Sequence, residues 1–580
     1  LGVVSLAFWS LLLVVTLKYV IFLMSADNKG EGGTLALMAL AQRSLGKPFA
    51  RRSAVVMFLG VCGAALFYGD GIITPAVSVL GAVEGLGEAP GIGHTFKPFV
   101  LPVALGILVG LFLVQSRGTA FISRFFSPII TVWFLVLAGL GAVHIFDNPS
   151  VFRALSPYYA VEFLYNNGVL SFAILGSIFL AVTGAEALYA DMGHFGRSPI
   201  RAAWLWFVLP CLTLNYLGQG ALVLSDPSAA LNPFFRMIPD QVYWPVLLLA
   251  TAAAAIASQA VITGAFSLTQ QAVQLGLLPR LRILRTSETQ AGQIYVPQVN
   301  GFLMVGVIAL LITLRTSSNL AAAYGIAVTG AMFIDTLLFF VIVHWLWKKP
   351  LWQAILAVLV FGSLDIVFLG ANMLKIPQGA WIPLALGFSL VVVMLVWSRG
   401  VQVLAERTAK EAIPLKDLLA ALKVKQPHRI DGTAIFLTGD TEMAPTALMH
   451  NLKHNRVLHA RNIILCIKTG TTPRIDPDER ATIEKIDDDF MRVTLNYGFM
   501  ETPNVPQALA MCRTAGALKF DIMSTSFFLS RRTLKASPTI GMPLWQDNIF
   551  IFLMKNAGNP TDFFQLPANR VIEMGEQVIV

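Results

Sequence analysis

Eleven apolar runs, each long enough to cross a bilayer as a helix, constrain this chain more than any other feature. They lie near residues 3–24, 54–84, 99–115, 126–146, 168–190, 201–224, 243–274, 297–314, 319–347, 351–371 and 377–398. A hydrocarbon layer about 30 Å thick is crossed by about 20 apolar residues in helical form. Backbone in lipid must also satisfy its own hydrogen bonds, which a single segment does only as a helix. The pattern therefore predicts an all-α polytopic membrane domain. A soluble protein of 580 residues has no use for a chain that is 56% hydrophobic, with a mean hydropathy of +0.68. Two runs look interrupted: Asn319 opens a new span a few residues after Leu314, and Gly362 breaks another.

The net charge of +9 points to basic loops and not to a nucleic-acid partner. Loops after the odd-numbered spans carry Lys29, Arg43, Lys47, Arg51 and Arg52, then Arg117 and Arg124, Arg197 and Arg201, Arg280, Arg282 and Arg285, and finally Lys348 and Lys349. The intervening loops hold little more than Lys97, Arg153, Arg236, Arg315 and Lys375. The positive-inside bias places the first set in the cytoplasm, with Leu1 outside and the C-terminus inside. The first segment lacks a charged n-region and a cleavage site, so it does not read as a signal peptide. An outside start is resolved by one further N-terminal span, giving an expected twelve with both ends in the cytoplasm.

The character changes after Arg399. Residues 1–398 are expected to form the membrane domain, and 399–580 a soluble α/β domain of ordinary size. Glu411–Lys425 reads as an amphipathic helix, Thr433–Thr438 and Asn462–Lys468 as strands, and Val571–Val580 as a closing hairpin or strand. No P-loop, Rossmann glycine pattern, nucleophile elbow or nucleophile–base pair appears, so an enzyme is not expected. Cys62, Cys211, Cys466 and Cys512 show no CxxC spacing and read as reduced, structural thiols. No metal-ligand cluster stands out and no cofactor is expected.

Chemistry concentrates in two intramembrane stretches. In Leu180–Asp191, Thr183, Glu186 and Tyr189 are spaced by three, which on one continuous helix places them on a single face beside Gly184. A carboxylate at the centre of a span costs roughly 2.5–3.5 kcal/mol on insertion scales, so it usually faces a polar pathway. In Phe67–Glu84, Asp70, Thr74 and Ser78 recur every four residues along one helical stripe, and Pro75 leaves a carbonyl in the preceding turn without its donor. Gly69, Gly71 and Gly81 allow close backbone approach. Carboxylate, hydroxyl and carbonyl oxygens are the ligands that a desolvated alkali cation needs, although Ser, Thr and Gly also serve helix packing. Tyr324, beside a small-residue run, either reaches a central cavity or packs in the core. Asp335 and Asp365 are also intramembrane, and the sequence assigns them no role. A TVGYG-like filter is missing, which argues against a potassium channel of that type.

Several long motifs carry a resemblance. Asp27–Gly33, Phe67–Ala76, Gly184–Gly196, Leu214–Gly220 and Asn319–Gly330, with Ala447–Asn455 and Glu501–Val505 in the tail, resemble the KUP/HAK/KT potassium uptake family over the whole chain. The resemblance implies a LeuT-like fold of the amino acid–polyamine–cation superfamily: two inverted five-helix repeats, two extra helices and a cytosolic C-terminal domain. It implies a bacterial inner-membrane importer that moves potassium with protons by alternating access, with a possible homodimer contact through the C-terminal domain. Thr74 and Ser78 match third-span ion contacts of the family, Thr183 and Glu186 match sixth-span ones, and Tyr324 fits the tenth span. Asp70 stands where many bacterial members have Glu. Glu186 and Asp70 become the expected proton-coupling residues, with Thr74, Ser78, Thr183 and Tyr324 as substrate-binding residues. The family's first-span signature Gly-Asp-Ile-Gly-Thr-Ser-Pro-Leu-Tyr is missing, so the chain is expected to start at the family's second span and, as written, not to transport. The competing readings are an amino acid or polyamine permease of the same fold, and a potassium-responsive receptor.

Overall fold

The computed structural model describes residues 1–45, 50–91, 93–117, 124–285, 294–514, 524–537 and 541–579. Among these, eleven helices are long and apolar enough to cross a membrane. The first, α1 (Gly2–Ser25), begins as an α-helix and widens into a π-helical stretch from Leu11 to Phe22. Its C-terminal carbonyls are capped by Arg201, which donates to Val20 O at 2.7 Å and to Ile21 O at 2.6 Å. A cation there also complements the negative end of the helix dipole. After the loop containing Asp27–Gly33 come the short helix α2 (Thr34–Leu45) and the long α3 (Ala50–Val83), which holds Pro75 within it. Next are α4 (Gly93–Val114) and α5 (Phe126–Ile145).

The next span is broken twice. α6 (Pro157–Ile178) turns sharply at Gly168, whose φ of 47° suits only a residue without a Cβ. It tightens into a 3₁₀ turn, Phe179–Val182, and then stops. Thr183 is extended and Gly184 is left-handed at φ 89°, before α7 (Ala185–Ala190) resumes. The expectation that Thr183 shares a helical face with Glu186 and Tyr189 is therefore corrected. Thr183 lies in the break, while Glu186 and Tyr189 sit on α7. The remaining spans are α8 (Arg197–Ser225), α9 (Tyr243–Gln274), α10 (Pro297–Leu314), α11 (Ser317–Val341), α12 (Leu351–Met373) and α13 (Trp381–Glu411).

The pause before Asn319 is a turn with an identifiable cause. Arg315 is left-handed at φ 58°, Thr316 caps the next helix through Asn319 N, and Glu84 accepts from Ser317 N at 2.9 Å and from the Ser317 hydroxyl. The expected interruption at Gly362 does not occur. α12 passes through it unbroken, because an isolated glycine costs a helix only about 1 kcal/mol and neighbouring turns hold it.

The spans from α1 to α12, apart from the end of α9, and the start of α13 fall into a unit formed by Leu1–Thr269 and Ile283–Val391. Apolar side chains such as Leu113, Val143, Leu248, Val305 and Leu359 stand exposed on its spans, as a lipid-facing belt requires. Small residues set the closest helix contacts. A Cβ built on Gly218 of α8 would lie 2.4 Å from Gly141 Cα of α5, and one on Gly141 would lie 2.3 Å from Leu214 O. Gly218→Val should therefore force the pair apart and cost about 1–3 kcal/mol, the usual range for overpacking. Thermal denaturation of the detergent-solubilised protein is the check, with an unchanged midpoint arguing against the contact.

The second unit comprises Gln270–Arg282 and Val392–Val580. The amphipathic helix expected over Glu411–Lys425 is shorter than its pattern: α13 continues to Glu411, Pro414 intervenes, and α14 (Leu415–Val424) follows. A six-stranded sheet is built from β1 (His428–Thr438), β2 (Val457–Thr469), β3 (Ala481–Lys485), β4 (Phe490–Tyr497), β5 (Thr525–Lys535) and β6 (Val571–Ile579). Their order is β3-β4-β2-β1-β5-β6, with every pair parallel except β3–β4. Parallel strands are covered on both faces, and two apolar clusters supply the cover. One centres on Ile435, Leu465 and Phe527, the other on Phe436, Ile464 and Phe528. The closing segment is a strand parallel to β5, which excludes the hairpin alternative.

Candidate functional site

The break between α6 and α7 is the centre of the candidate site. A helix that stops inside a membrane domain leaves its last carbonyls and the next helix's first N–H groups without intrahelical partners. Such backbone is tolerated at membrane depth where it is buried in protein or lines a polar cavity. Gly184 is exposed, and a Cβ placed on it would meet nothing within 4 Å, so the break borders open space. Glu186, two residues on, is buried at 4% exposure. Neither of its carboxylate oxygens makes a well-formed hydrogen bond, although the backbone N–H groups of Gly184 and Glu186 itself lie near.

Three elements converge here. From α3, Asp70 is buried and accepts from Thr74 Oγ1 at 2.5 Å. The i, i+4 spacing read from the sequence puts that hydroxyl one turn beyond the carboxylate. From α11, the buried Tyr324 faces Asp70, Thr74 and Thr183, and it interacts electrostatically with Glu186. From the break, Thr183 Oγ1 donates to Leu180 O at 2.8 Å, which ties off the end of the 3₁₀ turn. Glu186 and Asp70 interact as charges. Five of the six residues singled out in the sequence, Asp70, Thr74, Thr183, Glu186 and Tyr324, are thus brought together. Ser78 lies one turn past Thr74 on α3, half-buried, with no hydrogen bond to its hydroxyl among the described residues. The arrangement collects hydroxyls, one phenol, free backbone carbonyls and two carboxylates around an opening. Oxygens of these kinds are the donors that a desolvated alkali cation needs, and the carboxylates among them can titrate.

A second polar cluster was not legible as a unit. Lys18 of α1, 1% exposed, places Nζ 2.7 Å from both oxygens of Asp365 on α12 and 3.0 Å from Met332 O on α11. Thr336 Oγ1 donates to the same Asp365 at 2.6 Å. Beside it, Asp335 on α11 accepts from Tyr19 Oη at 3.1 Å and from Thr34 Oγ1 at 2.8 Å. The ring of Tyr19 meets that of Tyr189 edge-on at 6.4 Å, and Tyr189 Oη donates to Ala26 O at 3.1 Å. The signal that could have found the pair was Lys18 itself. A lysine inside an apolar run has to meet a buried acceptor, and Asp365 was among the few available. Just past α7, burial raises the carboxyl of Asp191 to about 7.

Comparison with known proteins follows from this geometry. A family model described as the K+ potassium transporter integral membrane domain matches residues 1–402, and one described as the K+ potassium transporter C-terminal domain matches residues 431–580. The chain is 56% identical over its whole length to a probable potassium transport system protein Kup of Caulobacter vibrioides, 88% of which is covered. It is 55% identical, again over its whole length, to a probable potassium transport system protein Kup 2 of a Bradyrhizobium species, with 90% of that protein covered. A Kup 2 of Rhodopseudomonas palustris is 54% identical with 91% covered. Matched over residues 1–402 by one model and 431–580 by the other, the chain belongs to the K+ potassium transporter family.

Proposed function

We propose that this protein imports potassium across the bacterial inner membrane by secondary active transport, with protons as the coupled ion. The observation that carries the reading is the convergence of Asp70, Thr74, Thr183 and Tyr324 on a broken helix beside an uncompensated buried Glu186, in a chain of the potassium transporter family. Potassium exchanges its water for oxygens of Thr74, Ser78, Thr183 and the carbonyls freed at the break. Tyr324 holds the hydroxyls of α3 and of the break at one distance. Glu186 responds to the cation, because a neighbouring positive charge and a proton on the carboxyl oppose one another. That opposition links proton binding to ion binding. Asp70 is the second proton-coupling group, held in orientation by Thr74.

The break also fits a LeuT-like arrangement of two inverted five-helix repeats, in which discontinuous helices frame a site near the midplane and one bundle rocks against the other. In that reading the C-terminus is cytoplasmic and the α/β domain serves regulation or homodimer contact.

Rubidium uptake into proteoliposomes holding the full-length protein, with and without an inward proton gradient, is the direct test. Uptake that follows the gradient and is competed by potassium supports symport. Uptake indifferent to the gradient rejects the coupling roles. In the same assay Thr74→Val should raise the half-saturating rubidium concentration by about tenfold. It removes one oxygen ligand and the Thr74 hydrogen bond to Asp70, a loss of about 1–1.5 kcal/mol.

A further inference from the structure

We propose that Asp335 is a proton-relay residue, which carries the coupled proton from Glu186 towards the loop that precedes α2. The inference rests on the symport reading above and extends it to a group that the sequence left without a role.

The argument starts from what each buried carboxylate is bonded to. Within the spans, Asp70, Glu186, Asp335 and Asp365 are all buried. Asp365 is committed: both oxygens lie 2.7 Å from the Lys18 ammonium, which can only donate. A proton added to Asp365 would break that pair inside the protein. Asp335 has different company. Its two oxygens meet two hydroxyls, Tyr19 Oη and Thr34 Oγ1. A hydroxyl donates to a carboxylate and equally accepts from a carboxylic acid. Both protonation states of Asp335 therefore keep their hydrogen bonds, and only a small rotation of an O–H separates them. A relay needs this property, and the Lys18–Asp365 pair lacks it.

Position supports the same assignment. Asp335 interacts electrostatically with Glu186 on α7, and with Lys18 on α1 and Asp365 on α12. Tyr19 from α1, Thr34 from α2 and Tyr189 from α7 complete its ionisable and hydroxyl surroundings. Thr34 is the first residue of α2, directly after the loop that carries Asp27 and Lys29, which the charge bias of the sequence puts in the cytoplasm. Tyr189, one turn beyond Glu186, bonds Ala26 at the near edge of the same loop. Asp335 thus interacts with Glu186 on one side and bonds the first residue after the loop on the other. In the step itself one proton leaves the Glu186 carboxyl, joins the Asp335 carboxylate, and passes from there to solvent at the loop. Glu186 is left charged for the next cycle.

The test separates exchange from accumulation in proteoliposomes holding the full-length protein. Asp335→Asn should keep rubidium–rubidium exchange at equal concentrations, which needs the ion site but no proton flux. It should lose proton-driven rubidium accumulation by about tenfold or more, a usual size for coupling between sites. Asp335→Glu should restore accumulation with a displaced pH profile, because a carboxyl is again present. Accumulation that survives in Asp335→Asn overturns the relay and leaves the symport reading intact. Loss of exchange in both variants overturns it in favour of a purely structural Asp335. If the unsubstituted protein accumulates rubidium without regard to the gradient, the symport reading falls, and the relay with it.

Discussion

Glu186→Gln should abolish proton-driven potassium accumulation while leaving the protein folded. The amide keeps the shape of the side chain and removes its charge and its titration. Glu186 is the one carboxylate at the helix break with no well-formed hydrogen bond to either oxygen, so the substitution breaks no bond that the fold depends on. Its neutral isostere also avoids a buried charge, and the detergent-solubilised variant should be at least as stable as the parent. What disappears is the group whose charge answers to the cation. Uptake driven by an inward proton gradient should fall by about tenfold or more, equivalent to ~1.4 kcal/mol of coupling, and the dependence of uptake on external pH should flatten. Rubidium binding to the purified protein should weaken less than uptake does, since hydroxyl and carbonyl oxygens remain. A Glu186→Gln protein that still accumulates rubidium against its gradient in proportion to the proton gradient would remove Glu186 from the coupling step. Comparing Glu186→Gln with Asp335→Asn orders the two along one path. Both should lose accumulation, but only the first should also change the affinity of the ion site.

What the sequence made legible, and what it concealed, follows from the range of each interaction. The spans were legible because apolar length is a local property. The runs near 126–146 and 297–314 fall on helices Phe126–Ile145 and Pro297–Leu314 almost residue for residue. The stripe of Asp70 and Thr74 was legible for the same reason, since a regular helix fixes which residues share a face. Thr183 failed that logic. A period of three presumes continuous helix, and Gly184 at φ 89° ends it. The glycine was in view, but a glycine alone does not reveal whether its neighbours hold it in a helix, as they do at Gly362, or release it, as at Gly184. The Lys18–Asp365 pair was concealed by distance along the chain. Asp365 stood in its span without a role, Lys18 lay 347 positions away, and only the packing of α1 against α11 and α12 joins them. In the second unit the central strands were legible from their β-branched runs. The parallel order β3-β4-β2-β1-β5-β6 was not, because strand order depends on crossovers that leave no local pattern.

Lys18→Met should be among the most damaging single substitutions in the membrane unit, and the reason is what it leaves behind. The ammonium is 1% exposed and joins three helices: it reaches Asp365 on α12, Met332 O on α11, and is itself part of α1. Methionine fills much of the same volume, so packing loss is small. The Asp365 carboxylate, however, would keep only the Thr336 hydroxyl. Removing one partner of a buried ion pair typically costs about 3–5 kcal/mol, most of it from the charge left uncompensated. Removing both is different: replacement of a buried pair by apolar residues is often neutral. The double variant Lys18→Met, Asp365→Leu should therefore recover most of the stability lost by Lys18→Met alone. Thermal unfolding of the two single variants, the double variant and the parent closes the cycle, with an expected coupling energy at the upper end of the usual ~0.5–3 kcal/mol. Additive effects would show that the two side chains act separately, contrary to their 2.7 Å contact. The cycle also bears on transport. Lys18 and Asp365 both interact electrostatically with the proposed relay, so the double variant, which removes both charges, tests their net influence on Asp335 apart from the pair's role in holding the helices. If that variant folds and exchanges rubidium but accumulates it with a shifted pH profile, the ion pair sets the charge balance of the proton path as well as the packing of the spans.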